Sequence, residues 1–565
     1  MLTLLLSPFG LFLLAALVLP WLSATLRRLL LVGVPLLALL SLLLHGHGNH
    51  GQVAMLGFEL EFLRIDGLSF IFALVFCIGA FIAGIHALHV DDRMQQIATL
   101  VYAGSAIAAV LAGDLVVLFL WWEGTALASV FLIWARRTDE SYATGMRYLV
   151  IQVLSGVLLL AGLLVHYQQT GSISFDHLGL VNTGTVLIFI GFGIKVGFPL
   201  LHSWIPDAYP ASTVTGTVVL SIFTTKMAVY ALARGYAGTE ILVWLGVLMA
   251  LYPLYFAEVE NDLRRVLAWS LNNQLGFMVV GVGIGTELAI NGAAVHAVAS
   301  VLYKGLLFMC IGAVLYRTGT AKASELGGLY RHMPVTAACC LVGAASIASM
   351  PLFSGFVSKS LIVSAAAYEH HDLAWYALII SSVGVMSHTA IKVPWFAFFG
   401  TDRHYRGDDA PAHMQIAMLI AAALCLGIGV FPGALHALLP HEVDYHAFTF
   451  AHLLTQMQLI VFALLGYAVL FRLGYRMEKK PGTLPDVDIV YRRWAPAALP
   501  VIAAKVIGVN RALRTAALSA IGNVQRFVEH VSRPGAVFAR GWSVASMMFT
   551  VVVMMLIMLL GNFMG

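Results

Sequence analysis

GFGIKVGFPLLHSWIPDAYPASTVTGTVVLSIFTTKMAVYALARG, residues 191 to 235, holds the pattern on which the reading of the whole chain depends. It takes in the end of one apolar run, 184–205, and the whole of a second, 213–233, each about twenty residues and long enough to cross the roughly 30 Å hydrocarbon layer as a helix. Each run carries a lysine, Lys195 and Lys226. A charge at that depth costs at least about 2.5 kcal/mol, so such residues face a bundle interior or a hydrated cavity. Gly193, Gly197 and Pro199 surround Lys195. They predict that the helix opens there and frees carbonyls for water or the ammonium group.

The same pattern runs outward in both directions. The chain has 565 residues, 60% of them hydrophobic and only 11% charged, with a mean hydropathy of +0.89. Soluble chains carry about a quarter charged residues, which excludes an ordinary soluble protein. A membrane barrel would alternate in polarity, so the fold class is an all-α integral membrane protein. Sixteen spans are predicted, from 3–20 to 541–563. Among them 184–205 and 213–233 overlap the quoted stretch, and 336–368 is expected to break at Pro351 and Gly355. The first run lacks a basic n-region and an A-x-A-like cleavage site, and reads as a retained helix. With odd-numbered connections in the cytoplasm, nearly all loop arginines fall on that side, as the positive-inside rule requires. Residues 476–540 interleave arginines with aliphatic residues. They are expected to form an amphipathic helix, too charged to cross, that lies on the cytoplasmic face as an anchor or a brace. The five cysteines sit in apolar runs without zinc or cluster spacing and read as packing residues.

Five lysines fall inside spans: Lys195, Lys226, Lys304, Lys359 and Lys392. A buried lysine with a movable carboxylate partner can gain and lose a proton near neutral pH, so a row of them can pass protons. Glu123, in VVLFLWWEGTALASV, is the one carboxylate deep in its span and needs a cation, most naturally a lysine. His296 and Lys304 lie eight residues, about 12 Å, apart on one helix face, a spacing suited to a water-bridged relay. Lys359 follows the expected break in MPLFSGFVSKSLIV and is the counterpart of Lys195. His202, His388 and Lys392 are further candidates with competing readings. His202 is a proton entry point or a helix-end donor, His388 a relay member or a packed histidine, and Lys392 a relay member or a side chain reaching the interface. Asp114 reads as an N-cap, and Asp262, Arg264 and Arg265 as loop residues that fix topology. No P-loop, Rossmann glycine pattern or nucleophile elbow is present. The chain thus calls for no cofactor and no metal, gives no sign of nucleic-acid binding, and leaves any redox or ATP-driven step to another chain.

The stretch quoted first, together with LVVLFLWWEGTALASVFLIW, DLRRVLAWSLNNQLGFMVVGVGIG, NGAAVHAVASVLYKGLLFMCIGAVLYRTGT and MPLFSGFVSKSLIV, resembles the signature segments of the antiporter-like subunits. These are shared by respiratory complex I, membrane-bound hydrogenases and Mrp-type multisubunit cation/proton antiporters. The resemblance implies two inverted five-helix repeats, each with a broken helix. It divides the chain into N-terminal helices (1–112), two half-channel repeats (113–258 and 259–435), a peripheral helix (436–475), the amphipathic lateral helix (476–540) and an anchor (541–565). It casts Glu123 and Lys195 as the pair of the first half-channel, Lys226 as the connecting lysine, His296 and Lys304 as the central pair, and Lys359 as the terminal lysine. IKVPWFAFFGTDRHYRGDDAP resembles the D-type subunit of Mrp antiporters, while the tail resembles that of the largest complex I antiporter-like subunit. The function implied is a proton-translocating subunit of a Na+/proton antiporter in a bacterial inner membrane, partnered by other membrane subunits, protons and a monovalent cation. The alternatives are the pump arm of an NADH:quinone oxidoreductase or hydrogenase, and the proton-conducting partner of an inorganic-carbon uptake complex.

Overall fold

Helices begin where the sequence supplies a side-chain acceptor for otherwise unpaired amides. Asp66 Oδ1 takes the Ser69 amide at 2.9 Å to start Gly67–His86, and Asp114 Oδ1 takes those of Val116 and Val117 to start Leu115–Trp134. Thr138 and Asn182 open Asp139–Thr170 and Thr183–Val196 with reciprocal capping boxes. The Asp66 cap is also an ion pair. Burial pushes its carboxyl up, but the Arg234 guanidinium at 2.6 Å and the Ser69 amide hold it below the usual carboxylate range.

The computed structural model describes residues 2–55, 57–405, 407–473, 486, 489–533, 536 and 541–563. Arg406 and both ends of the amphipathic segment expected over 476–540 lie outside the described residues. Thirteen described helices are long and apolar enough to cross a membrane. Twelve of these coincide with expected spans, and the four remaining spans coincide with the shorter apolar helices Pro8–Trp21, Thr183–Val196, Pro334–Ile347 and Val544–Leu559. The chain is a multi-pass membrane protein. An antiparallel hairpin, Gln52–Met55 with Phe58–Glu61, occupies the connection before Gly67, where no strand was expected.

Both expected breaks are present. Thr183–Val196 stops at Gly197 (φ 85°), and helix resumes at Trp204–Ala211. Pro334–Ile347 stops before the Pro351 region, and helix resumes at Ser354–Tyr368. Each break turns on a leucine after proline in the left-handed region, Leu200 at φ 72° and Leu352 at φ 73°. A third interruption was not expected: Phe223 (φ −97°, ψ −71°) separates Val214–Ile222 from Thr224–Gly235.

Burial sorts the helices. Val214–Gly235, Leu263–Ile284 and Glu287–Thr318 are almost wholly buried, while Leu115–Trp134 exposes Leu120, Leu127 and Phe131 on one side and buries Trp122, Thr125 and Ser129 on the other. Glycines set the closest approaches. A Cβ at Gly246 would lie 2.6 Å from the Val280 amide nitrogen, and one at Gly276 would lie 2.6 Å from the Gly246 carbonyl, so Ile241–Val259 and Leu263–Ile284 touch backbone to backbone.

These helices belong to a unit spanning Met1–Leu484; Pro485–Gly565 forms a second. The second holds Ala495–Ser532 and Val544–Phe563. The expectation that charge alone keeps the amphipathic helix from crossing needs correction, because part of it is as apolar as the crossing helices. Its length sets it apart: 38 residues span roughly 57 Å, nearly twice the hydrocarbon thickness.

Candidate functional site

Lys195, Lys226, His296, Lys304 and Lys359 are all buried in the first unit, none more than 3% exposed. Each amine donates to a backbone carbonyl. Lys195 Nζ reaches Trp122 O at 2.5 Å and Thr125 Oγ1 at 2.8 Å, and lies over the Trp122 ring. Both of these partners lie on Leu115–Trp134 and not at its own break. In the second half the amine does meet its break: Lys359 Nζ donates at 2.8 Å to Ile347 O, the end of the half-helix before it. Lys226 Nζ takes Ser221 O at 2.7 Å beside the Phe223 interruption, and Lys304 Nζ reaches Leu267 O at 3.3 Å.

Glu123 sits beside Lys195 and interacts with it electrostatically. Its Oε1 is buried with no hydrogen-bond partner among the described residues and fills the space where a Cβ of residue 156 would stand, so Gly156 makes room for the carboxylate.

Hydroxyls fill the space between Lys195 and Lys226. Thr125, which accepts from Lys195, has its carbonyl bonded by Ser129 Oγ at 2.6 Å, and Ser129 Oγ meets Tyr148 OH at 2.8 Å. Tyr148 in turn interacts with Thr224, whose Oγ1 lies 2.5 Å from Tyr102 OH, two residues before Lys226. In the second half His296 Nδ1 meets Ser358 Oγ at 2.8 Å, next to Lys359. Tyr303 OH lies 3.4 Å from His296 Nε2 and donates to Gln274 Oε1 at 3.2 Å. Gln274 Nε2 donates to Asn273 Oδ1 at 2.5 Å, and Asn273 Nδ2 to Ser381 Oγ at 2.8 Å. The positive charges of Lys359, Lys226 and Lys304 all reach His296. Tyr303 thus links His296 to the Gln274 and Asn273 amides.

The further candidates separate. Lys392 Nζ donates to the carbonyls of Ala257, Glu258 and Glu260 at 2.6 to 2.8 Å, so it caps the C-terminus of Ile241–Val259. His388 Nδ1 meets Thr389 Oγ1 at 2.7 Å, and that hydroxyl donates to Ser270 Oγ at 2.8 Å, one turn from Leu267. His202 packs between the Tyr252 and Trp269 rings. Asp262 is an N-cap, and Arg264 and Arg265 belong to the helix it starts, not to a loop. Arg264 is buried and donates to Pro210 O at 3.0 Å and Ser212 O at 2.9 Å, tying the second segment of the first broken helix to Leu263–Ile284.

Sequence reasoning missed Tyr148, Tyr303 and the Asn272-Asn273-Gln274 run. Three consecutive amides in an apolar helix were a readable signal, since each needs buried partners. The tyrosines gave none, because an aromatic in a span is ordinary. Chemically, the arrangement offers hydroxyls and an imidazole that both donate and accept, placed between amines that can each hold one proton.

Residues 112–386 match the family described as NADH:quinone oxidoreductase/Mrp antiporter, transmembrane. The chain is 28% identical over 436 residues to hydrogenase-4 component B of Escherichia coli (strain K12), covering 68% of this chain and 64% of that one. It is 29% identical over 349 residues to the D-type subunit of the Na(+)/H(+) antiporter of Alkalihalophilus pseudofirmus, covering 57% and 70%. The chain spans between 40% and 70% of the length of the curated relatives it matches. Among solved structures, a chain of the membrane-bound sulfane sulfur reductase, an archaeal respiratory membrane complex, superimposes with a TM-score of 0.72 at 24% identity, covering 98% of this chain and all of the other.

Proposed function

We propose that this chain, whose residues 112–386 belong to the NADH:quinone oxidoreductase/Mrp antiporter transmembrane family, is a proton-translocating membrane subunit of a multisubunit monovalent cation/proton antiporter, of the D type. The observation that carries the reading is the row of four buried amines, Lys195, Lys226, Lys304 and Lys359, interleaved with Tyr148, Tyr303 and His296. An isolated buried lysine can be a static hydrogen-bond donor. Four in one bundle, each held by a carbonyl and Lys195 also by the Thr125 hydroxyl, support a path along which a proton hops. Glu123 beside Lys195 supplies the movable countercharge. The cation exchanged is sodium or another monovalent ion, the membrane is a bacterial inner membrane, and the chain acts as a transporter subunit, not as an enzyme. Other membrane subunits complete the assembly.

The reading is tested by reconstituting the whole complex in vesicles and following proton flux with a pH-sensitive dye. Lys195→Ala and Lys359→Ala each abolish flux while the complex assembles; assembled variants that translocate at the wild-type rate would falsify the relay.

A second reading, the pump arm of a redox-driven complex, is favoured by the likeness to hydrogenase-4 component B. Co-purification separates the two. Small hydrophobic antiporter subunits support the first, whereas subunits carrying flavin, iron-sulfur or nickel sites support the second.

A further inference from the structure

The second helix break also holds three serines that play no part in the relay. In SIASMPLFSG, residues 346 to 355, Ser346, Ser349 and Ser354 are 0%, 2% and 0% exposed. The hydroxyl oxygen of each is buried with no hydrogen-bond partner among the described residues. Buried hydroxyls are normally paired, so three orphans in one interruption mark a place for a species the chain does not itself supply. They stand close together. A Cβ on Gly355 would collide with Ser346 O, so the two half-helices meet backbone to backbone, and the Ser349 amide donates to the same carbonyl at 3.1 Å. The Cys425 thiol faces both Ser346 and Ser354. One turn further along Ala412–Val430, a Cβ on Gly429 would collide with Leu352 O, which seats the turn of the break against that helix.

These groups are neutral oxygens at the C-terminus of Pro334–Ile347, the negative end of its dipole. Its last carbonyl, Ile347 O, already attracts the Lys359 amine at 2.8 Å. Hydroxyls and freed carbonyls at a broken helix replace the water shell of a small monovalent cation. A divalent ion takes carboxylates, and no carboxylate is among the groups that act on Lys359 or Cys425.

We infer that Ser346, Ser349 and Ser354, together with Ile347 O, bind the exchanged monovalent cation, sodium first among them, and that this ion and the Lys359 proton occupy the break in turn. The inference rests on the antiporter reading above and gives its cation a place in this chain. The Lys359 ammonium releases its proton to water, the neutral amine gives up Ile347 O, and the ion takes that carbonyl with the three hydroxyls. Nothing is oxidised or reduced, and one positive charge replaces another. In the reverse direction the returning proton expels the ion, because two positive charges sharing one carbonyl repel strongly at low dielectric. The other titratable groups around Lys359 are His296, Lys304, His388 and, across the adjoining space, His452. None of them supplies a counter-ion.

The test uses the intact complex in vesicles, with sodium varied against choline at constant ionic strength. Ser346→Ala and Ser354→Ala each raise the sodium concentration for half-maximal proton flux about tenfold, the effect of taking one oxygen away from a charge. In the wild-type complex that concentration rises by up to about tenfold per unit fall in pH, the slope for one competing proton. Lys359→Met carries no flux, so its sodium binding is read from the sodium-dependent rise of the thermal midpoint. That rise is independent of pH and shrinks when Ser346→Ala is added. If the alanine variants lower maximal flux and leave half-saturating sodium unchanged, the hydroxyls hold water for the relay and the inference falls. If they change neither while Lys359→Ala abolishes flux, the ion binds elsewhere and the inference falls with the relay intact. If wild-type flux is indifferent to sodium and to every other alkali cation, the antiporter reading fails first and takes this site with it.

Discussion

Two substitutions probe single atoms in the relay. Gly156 leaves open the space that Glu123 Oε1 occupies, so Gly156→Ala must move the carboxylate away from Lys195. Alanine otherwise favours a helix interior by about 0.5–1 kcal/mol over glycine. Proton flux therefore falls as far as in Glu123→Ala while the thermal unfolding midpoint holds, and normal flux would show that the carboxylate's position is immaterial. Tyr303→Phe keeps the ring and removes the hydroxyl between His296 and Gln274. Leaving the Gln274 acceptor without this donor costs about 1–3 kcal/mol, whereas the relay loses a donor and acceptor. Flux drops about tenfold in a folded complex, measured with the same dye assay. These residues also mark the limit of legibility. The lysines stood out in the sequence because a charge in hydrocarbon demands a reason, and the structure buries every one of them. Glycine at 156 and tyrosine at 303 look like ordinary packing, and only the three-dimensional neighbours of Glu123 and His296 give them a role.

The helix breaks belong to the next scale. Proline and glycine announced both, and the structure adds that each turns through a left-handed leucine. That conformation costs an L-residue roughly 1–2 kcal/mol. Leu200 and Leu352 are 70% and 55% exposed, so their side chains contribute little packing. Leu200→Gly is thus expected to keep or raise the thermal midpoint and to retain flux. Leu200→Val, whose branched Cβ fits this region worse, lowers the midpoint; the reverse order in a melting experiment would mean that the leucine side chain itself holds the break. The Phe223 interruption could not be read ahead of time, since SIFTTK contains neither proline nor glycine. Its cause is tertiary: Tyr102 OH accepts the Thr224 amide at 3.1 Å, while Lys226 Nζ occupies Ser221 O. Side chains from other positions in the chain thus satisfy groups that a continuous helix would pair with itself.

At the scale of the whole molecule, the two units answer to different demands. Met1–Leu484 contains every lysine, histidine and hydroxyl of the relay, and Leu263–Ile284 and Glu287–Thr318 are buried on all sides. Its stability comes from helices packed on one another. In the described part of Ala495–Ser532, by contrast, nearly every side chain is exposed, a surface too apolar to face water over that length. Such a surface needs a cover of lipid or protein. Removing residues 476–565 is therefore expected to leave the thermal unfolding of the remaining helices within a few degrees of the intact chain. The same truncation lowers the number of partner subunits recovered with the tagged chain, as counted by mass spectrometry of the purified complex. Flux falls in proportion to the complexes lost, and the complexes that do form conduct normally. A truncation that assembles fully yet conducts poorly would place the tail in the coupling machinery, because the relay residues are unchanged and only a mechanical link would have been cut.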